Sequence, residues 1–224
     1  MEERKKNLSY IRLLYILFAL SLVIALTWAS ICLKHWPGHG TGKWWIFGLI
    51  FGIVCLLLVL AVFFVKALAR TPAAWGIYGL FVICLAAFLG WAVCADQTRL
   101  VYYALWLLTA IACALAIYSF CHDYYMDMFT TLLVVAGASL AVLVAFILCT
   151  DINVFLLIVV TVPMIVFGCY LAYDMRTNVR SNIFDHDEEN PVGGAVRIWM
   201  ESVLVFCRFG EMVGNMFTKQ DLAR

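Results

Sequence analysis

Apolar residues gather into seven windows along the chain, at about 10–33, 45–66, 73–95, 100–120, 128–149, 152–173 and 195–216. The first six hold close to the roughly 20 apolar residues that a helix needs to cross a bilayer, and the seventh is the weakest. The polar positions between them are few and carry turn chemistry. LKHWPGHGTGK separates the first window from the second, and KALARTP, with Pro72 two residues after Arg70, separates the second from the third. CADQTRL, CHDYYMD and CTDIN are so short that the helices they join are predicted to form antiparallel hairpins. The one sizeable loop, DMRTNVRSNIFDHDEENPVGG, precedes the seventh window. Trp36, Trp44, Trp45, Tyr102, Tyr103, Tyr124, Tyr125 and Tyr173 fall at predicted span ends, as an interfacial aromatic belt would. No internal repeat is visible. The pattern predicts an all-α, polytopic membrane protein: a cytosolic tail at 1–9, a seven-helix bundle over 10–216 and a short tail at 217–224.

Composition narrows the choice. Hydrophobic residues make up 66% of the 224, about 148 side chains, and only 13% are charged, against roughly 25% in soluble domains. A soluble core of this length cannot hide so much apolar surface. That excludes a soluble enzyme, a nucleic-acid binder and a disordered regulator, and it makes the lipid bilayer the first partner. MEERKKNLSY leads into an apolar stretch longer than a signal-peptide core of roughly 7–15 residues, so the first helix is expected to be kept as a span.

Charge sets an expected orientation. With the N-terminus cytosolic, that side collects Arg4, Lys5, Lys6, Arg12, Lys66, Arg70, Arg176, Arg180 and Arg197, nine in all, against Lys34, Lys43, Arg99, Lys219 and Arg224 opposite. The formal net charge of +1 offers no global field to recruit nucleic acid. The nine cysteines lie mostly inside apolar runs and read as small buried hydrophobes. Cys32 and Cys94, both near span ends, are placed for a lumenal link, which is the minority reading.

Charges inside spans are costly and mark a partner or a water-filled cavity. They collect at the end of the sixth window, with Asp174, and along the seventh, with Arg197, Glu201, Arg208 and Glu211. Taking Arg197 as zero on a helical wheel, Glu201 falls at about 40°, Arg208 at about 20° and Glu211 at about −40°. The four form one polar stripe on an otherwise apolar helix that includes Ile198, Trp199, Val203, Leu204 and Phe206. Lipid would not tolerate the stripe, so this helix is expected inside the bundle. Gly210 and Gly214 add a small-xxx-small step for close packing.

Two readings of the stripe stand. One is an internal ion-pair ladder, Arg197 with Glu201 and Arg208 with Glu211. The other pairs Asp174 with Glu201. Two close carboxylates in a partly dry site cannot both ionise cheaply, so one would hold a proton near neutral pH. Such a pair can sense pH and can bind a hard cation such as calcium through its oxygens. Asp185-His186-Asp187-Glu188-Glu189 lacks the spacing of a calcium-binding loop and reads as a solvated acidic loop. Enzymatic readings fail on residue types. All four histidines, His35, His39, His122 and His186, fall in loops, and the GxxxxGK[ST] and GxGxxG patterns are missing. No cofactor is implied.

Several segments, in order, resemble the transmembrane BAX inhibitor motif family, also called the lifeguard family. IRLLYILFALSLVIALTWA is similar to its opening helix, ARTPAAWGIYGLF to its RRxPxN segment, and IYSFCHDYYMDMFTTL to its SFxTKYDFT turn. YLAYDMRTNV followed by AVRIWMESVLVFCRFGEMVGN resembles the family's YDTQxxI element and its last helix, with Asp174 on the first signature carboxylate and Glu201 on the second. The likeness covers roughly residues 10–216. It implies a seven-helix bundle with a central last helix and a di-carboxylate pH sensor and latch. It also implies a slow calcium leak from intracellular stores and suppression of cell death. The latch would take a basic partner from the second-span region, for which Arg70 is the candidate by position.

The chain departs from the family at Met175-Arg176, where Thr-Gln is usual, and at Leu204, where Asn is usual. Glu211 stands where the family has Arg, with Arg208 one turn earlier. The expected function is a pH-sensitive calcium leak channel in an endoplasmic-reticulum, Golgi or other internal membrane. The alternative is a non-conducting adaptor, such as a viral mimic, that binds apoptosis-regulating or other membrane proteins and alters cell death or trafficking.

Overall fold

The computed structural model describes residues 2–35, 45–64, 73–96, 99–121, 127–180, 195 and 198–199. Six α-helices take up nearly all of them: α1 (Glu2–His35), α2 (Trp45–Phe64), α3 (Ala73–Ala95), α4 (Leu100–Cys121), α5 (Met128–Cys149) and α6 (Val154–Arg180). No strand occurs among the described residues. Helix is the backbone's only internal solution in a single apolar segment, because lipid offers no partner to an open N–H or C=O. The stretches Ser9–His35, Ala74–Ala95, Leu100–Cys121, Met128–Cys149 and Val154–Tyr173 are long and apolar enough to cross a membrane, while α2 carries a shorter apolar stretch, Ile46–Ala61. Against the seven spans expected, the described residues form six helices, five of them clearly span-length. Of the seventh window only Ala195, Ile198 and Trp199 are described, all three with helical backbone.

Helix ends follow local polar chemistry more than hydropathy. α1 begins at Glu2, eight residues before the apolar window, because EERKK is made of good helix formers. α6 starts at Val154 because Asn153 caps it, its Oδ1 accepting the Phe155 N–H at 2.9 Å. It then runs past the apolar boundary at Tyr173 to Arg180. α5 closes where the N–H of Thr150 and its hydroxyl both donate to the Phe146 carbonyl, at 2.9 and 2.7 Å. Between α3 and α4, Asp96 Oδ2 accepts the Val101 N–H at 2.7 Å, and Arg99 takes a left-handed backbone with φ of 59°.

α1 is the helix that joins the bundle. It packs along α3 on one side and α4 on another, α2 lies against α3, and α4, α5 and α6 pack mutually. Leu14, Phe18, Leu22, Ala25 and Ala29 of α1 are essentially fully buried, at the three- and four-residue spacing of one helix face. α5 lies at the rim, with Phe129 71% and Leu148 79% exposed, an apolar surface suited to lipid. Without a hydrophobic force between helices in a membrane, close packing needs small residues. Gly168 of α6 supplies one such contact, since a Cβ there would lie 2.8 Å from Val135 and 2.9 Å from Ile111.

One sequence expectation is revised, and one minority reading falls away. Tyr103 is fully buried, not at an aromatic belt, because its position on α4 faces α6, where its hydroxyl bonds that of Thr161 at 2.6 Å. Cys32 and Cys94 are both free thiols, so the lumenal link is not formed.

Candidate functional site

The segment expected to carry the polar stripe enters the core through three residues. Ala195, Ile198 and Trp199 are 0%, 3% and 8% exposed. The Trp199 ring lies 4.9 Å from the Phe18 ring of α1 and 6.0 Å from the Phe81 ring of α3. Its indole Nε1–H donates to Ser21 Oγ at 3.2 Å. The Ser21 hydroxyl in turn donates to the Phe18 carbonyl at 2.7 Å, and Tyr78 of α3 donates to the Leu17 carbonyl at 2.6 Å. Trp199 therefore meets α1 and α3 at a small polar knot around Ser21, roughly 18 Å along α1 from Ser9 at 1.5 Å per residue.

The wheel arithmetic gives this docking a direction. With Arg197 at zero, Ile198, Ala195 and Trp199 fall at about 100°, 160° and 200°. On that wheel Ala195 and the docked Trp199 fall opposite the predicted stripe of Arg197, Glu201, Arg208 and Glu211, and Ile198 falls to one side of it. Those four residues lie outside the described ones, as does Arg70. Asp174 is described as helical backbone in α6, the first residue after the apolar stretch Val154–Tyr173; its side chain is outside the described set. The separation of the Asp174 and Glu201 carboxyls is accordingly not part of the described geometry, and neither is the acidic segment 185–189. Among the described residues no group of three or more His, Cys, Asp or Glu side chains could hold a metal ion.

Sequence reading gave no weight to the groups that hold this end together. Ser21 and Tyr78 look like ordinary residues of apolar windows, and only a hydroxyl in a span that must find a partner could have flagged them. Arg12, counted there only for orientation, donates Nε–H to the Ser119 carbonyl of α4 at 2.8 Å, and its guanidinium sits 5.7 Å from the Phe120 ring. A cation near the last turn of α4 complements the negative end of that helix.

The long apolar helices, the short turns and the buried polar knot define an integral, multi-pass α-helical membrane protein. The sequence profile of the family described as Inhibitor of apoptosis-promoting Bax1 matches residues 7–218, nearly the whole chain, and the chain belongs to that family. No individually curated protein and no solved structure matches it.

Proposed function

We propose that the protein is a slow calcium leak of an internal membrane, gated by pH through Asp174 and Glu201, and that it restrains cell death by setting store calcium. Membership of the Bax1-inhibitor family over residues 7–218 carries this reading. Two further observations support it. Asp174 directly follows the apolar stretch of α6. Trp199, two residues before Glu201, is anchored in the core against Phe18 and Phe81. A buried anchor limits how far a nearby carboxylate can wander, which a latch requires.

In this reading the two carboxylates share one proton at lower pH, because close like charges in a dry site disfavour double ionisation. Arg70 lies against the pair and keeps the latch closed. Raising the pH removes the shared proton, the two charges repel, and the latch opens to a hard cation. Flux therefore rises with pH. Arg197, Arg208 and Glu211 line the rest of the pathway, with the exchanged order of Arg208 and Glu211 altering its inner end.

The test is calcium flux into liposomes carrying the full-length chain, measured against pH. Asp174→Asn and Glu201→Gln, alone and together, should flatten the pH response. Unchanged flux and unchanged pH dependence in the double variant would sink the proposal. No flux from any variant, with stable membrane-protein partners recovered, would point to the adaptor.

A further inference from the structure

At the opposite end of α1 from its N-terminus, α1, α4 and α5 leave a cavity of about 470 Å³, inside the range of roughly 300–1,000 Å³ that small-ligand sites span. Leu33, Tyr102, Trp106, Phe146 and Ile152 form much of its wall, and Arg99 stands at its edge. Leu33 lies about 18 Å along α1 from Ser21, so the cavity is separate from the Trp199 knot. Trp106 is 38% exposed and Cys149 is exposed, so the cavity opens sideways to the bilayer.

Three features give this cavity a ligand chemistry. Its wall is almost wholly apolar, and Arg99 is the only charged residue among those that line it. Arg99 has no ion pair among the described residues, although two carboxylates share this end of the bundle. Asp96 accepts the Val101 N–H at 2.7 Å, and Asp151 is exposed beside the lining residues Thr150 and Ile152. The second feature is strain. Arg99 is the only non-glycine with positive φ among the described residues, at 59°. A left-handed backbone is unfavourable for an arginine, and such strain tends to persist where a side chain must be aimed. The third is depth. Arg99 stands at the start of α4, where the apolar segment begins, and Tyr102 and Trp106 continue down the same helix. Cation at the boundary, amphipathic rings below it and an apolar slot beneath them reproduce the order of a phospholipid, from phosphate to acyl chain.

We propose that this cavity is a specific phospholipid site. One acyl chain occupies the slot between α4 and α5, and the phosphate of an anionic headgroup sits on the Arg99 guanidinium. An anionic lipid is favoured over a zwitterionic one because no lining carboxylate offsets the arginine.

The experiment uses full-length protein in phosphatidylcholine vesicles doped with a phosphatidylglycerol that carries a diazirine in its acyl chain. Adducts are mapped by mass spectrometry after illumination. They should concentrate on residues 99–106 and 141–152. Arg99→Asn should reduce them about fivefold, the share that one basic residue near a bilayer surface contributes. Its melting temperature should hold or rise, because Asn tolerates the left-handed backbone. Ala145→Trp, which fills the slot from an exposed position, should remove them as well. Equal labelling by a diazirine phosphatidylcholine overturns the proposal. So does unchanged labelling in Arg99→Asn, or adducts spread evenly over Phe129, Leu133 and Leu140, exposed residues of α5 outside the cavity. Arg99→Asn decides the matter alone if Ala145→Trp does not fold.

Discussion

Trp199 is expected to be the largest single contributor to docking of the last segment, and the size of its effect can be worked from its contacts. The ring is 8% exposed and packs on Phe18 and Phe81. Truncating a buried Trp to Ala costs about 3–5 kcal/mol when the neighbours cannot collapse into the space. Trp199→Phe keeps most of the ring and removes the indole donor. The bond it loses, at 3.2 Å, is at the long end of the usual range. Interhelical hydrogen bonds within membranes average about 0.6 kcal/mol in double-mutant cycles. Ser21→Ala removes the acceptor and also the local bond to the Phe18 carbonyl, and it leaves the indole N–H buried without its partner.

A cycle of Ser21→Ala and Trp199→Phe should therefore show a coupling of about 0.6 kcal/mol, with Trp199→Ala several times more costly than either. Equilibrium unfolding in mixed micelles can be followed by maleimide labelling of Cys55 and Cys84, both buried. Additive single effects, together with a Trp199→Ala loss within the roughly 0.5 kcal/mol of a surface substitution, would refute the docking argument.

Other outcomes follow from the same contacts. Gly168→Leu should destabilise by about 1–3 kcal/mol, the usual range for overpacking, because even its Cβ would crowd Val135 and Ile111; micelle unfolding checks it. Tyr103→Phe should cost only about 0.6 kcal/mol, since the Thr161 hydroxyl keeps its bond to the Leu157 carbonyl at 2.7 Å; a loss several times larger would show that the pair does more than join α4 to α6. Asn153→Ala should cost about 1 kcal/mol through the lost cap of α6, visible as faster amide exchange at Phe155.

The spans were legible because lipid imposes a length and an apolar composition on each. α5 occupies the window 128–149 read from hydropathy, and α3 the window 73–95. Their arrangement was not legible for the same reason. α2 to α5 are apolar on nearly every side, so no stripe says which face meets which neighbour. Glu2 and Arg180 show the other limit: helix continues past the apolar boundary whenever the polar residues there favour it. The candidate carboxylates stood out as charges in or beside apolar windows. Ser21 and Tyr78, which set the position of Trp199, carry no charge and gave no signal.

What distinguishes one packing from another in such a bundle is the few polar groups that cross between helices. Most hydroxyls in the spans do not cross. Thr27, Thr109, Thr131 and Ser139 each bond the carbonyl four residues back, which satisfies them in any arrangement. The crossing bonds gather on α1: Arg12 to α4, Tyr78 to the Leu17 carbonyl, Trp199 to Ser21, and Ser30 with Tyr102 at 3.1 Å. Since lipid rewards apolar contacts almost equally in any register, these bonds select the register of α1 against α3 and α4. The same helix touches the Trp199 knot in one half and the Arg99 cavity in the other through Leu33. If the proposed lipid site and the proposed carboxylate latch both hold, occupancy of one and the state of the other would act on the same helix. A lipid that binds the two latch states equally shifts nothing. Flux assays with and without phosphatidylglycerol, in wild type and in Arg99→Asn, show whether the two ends are coupled.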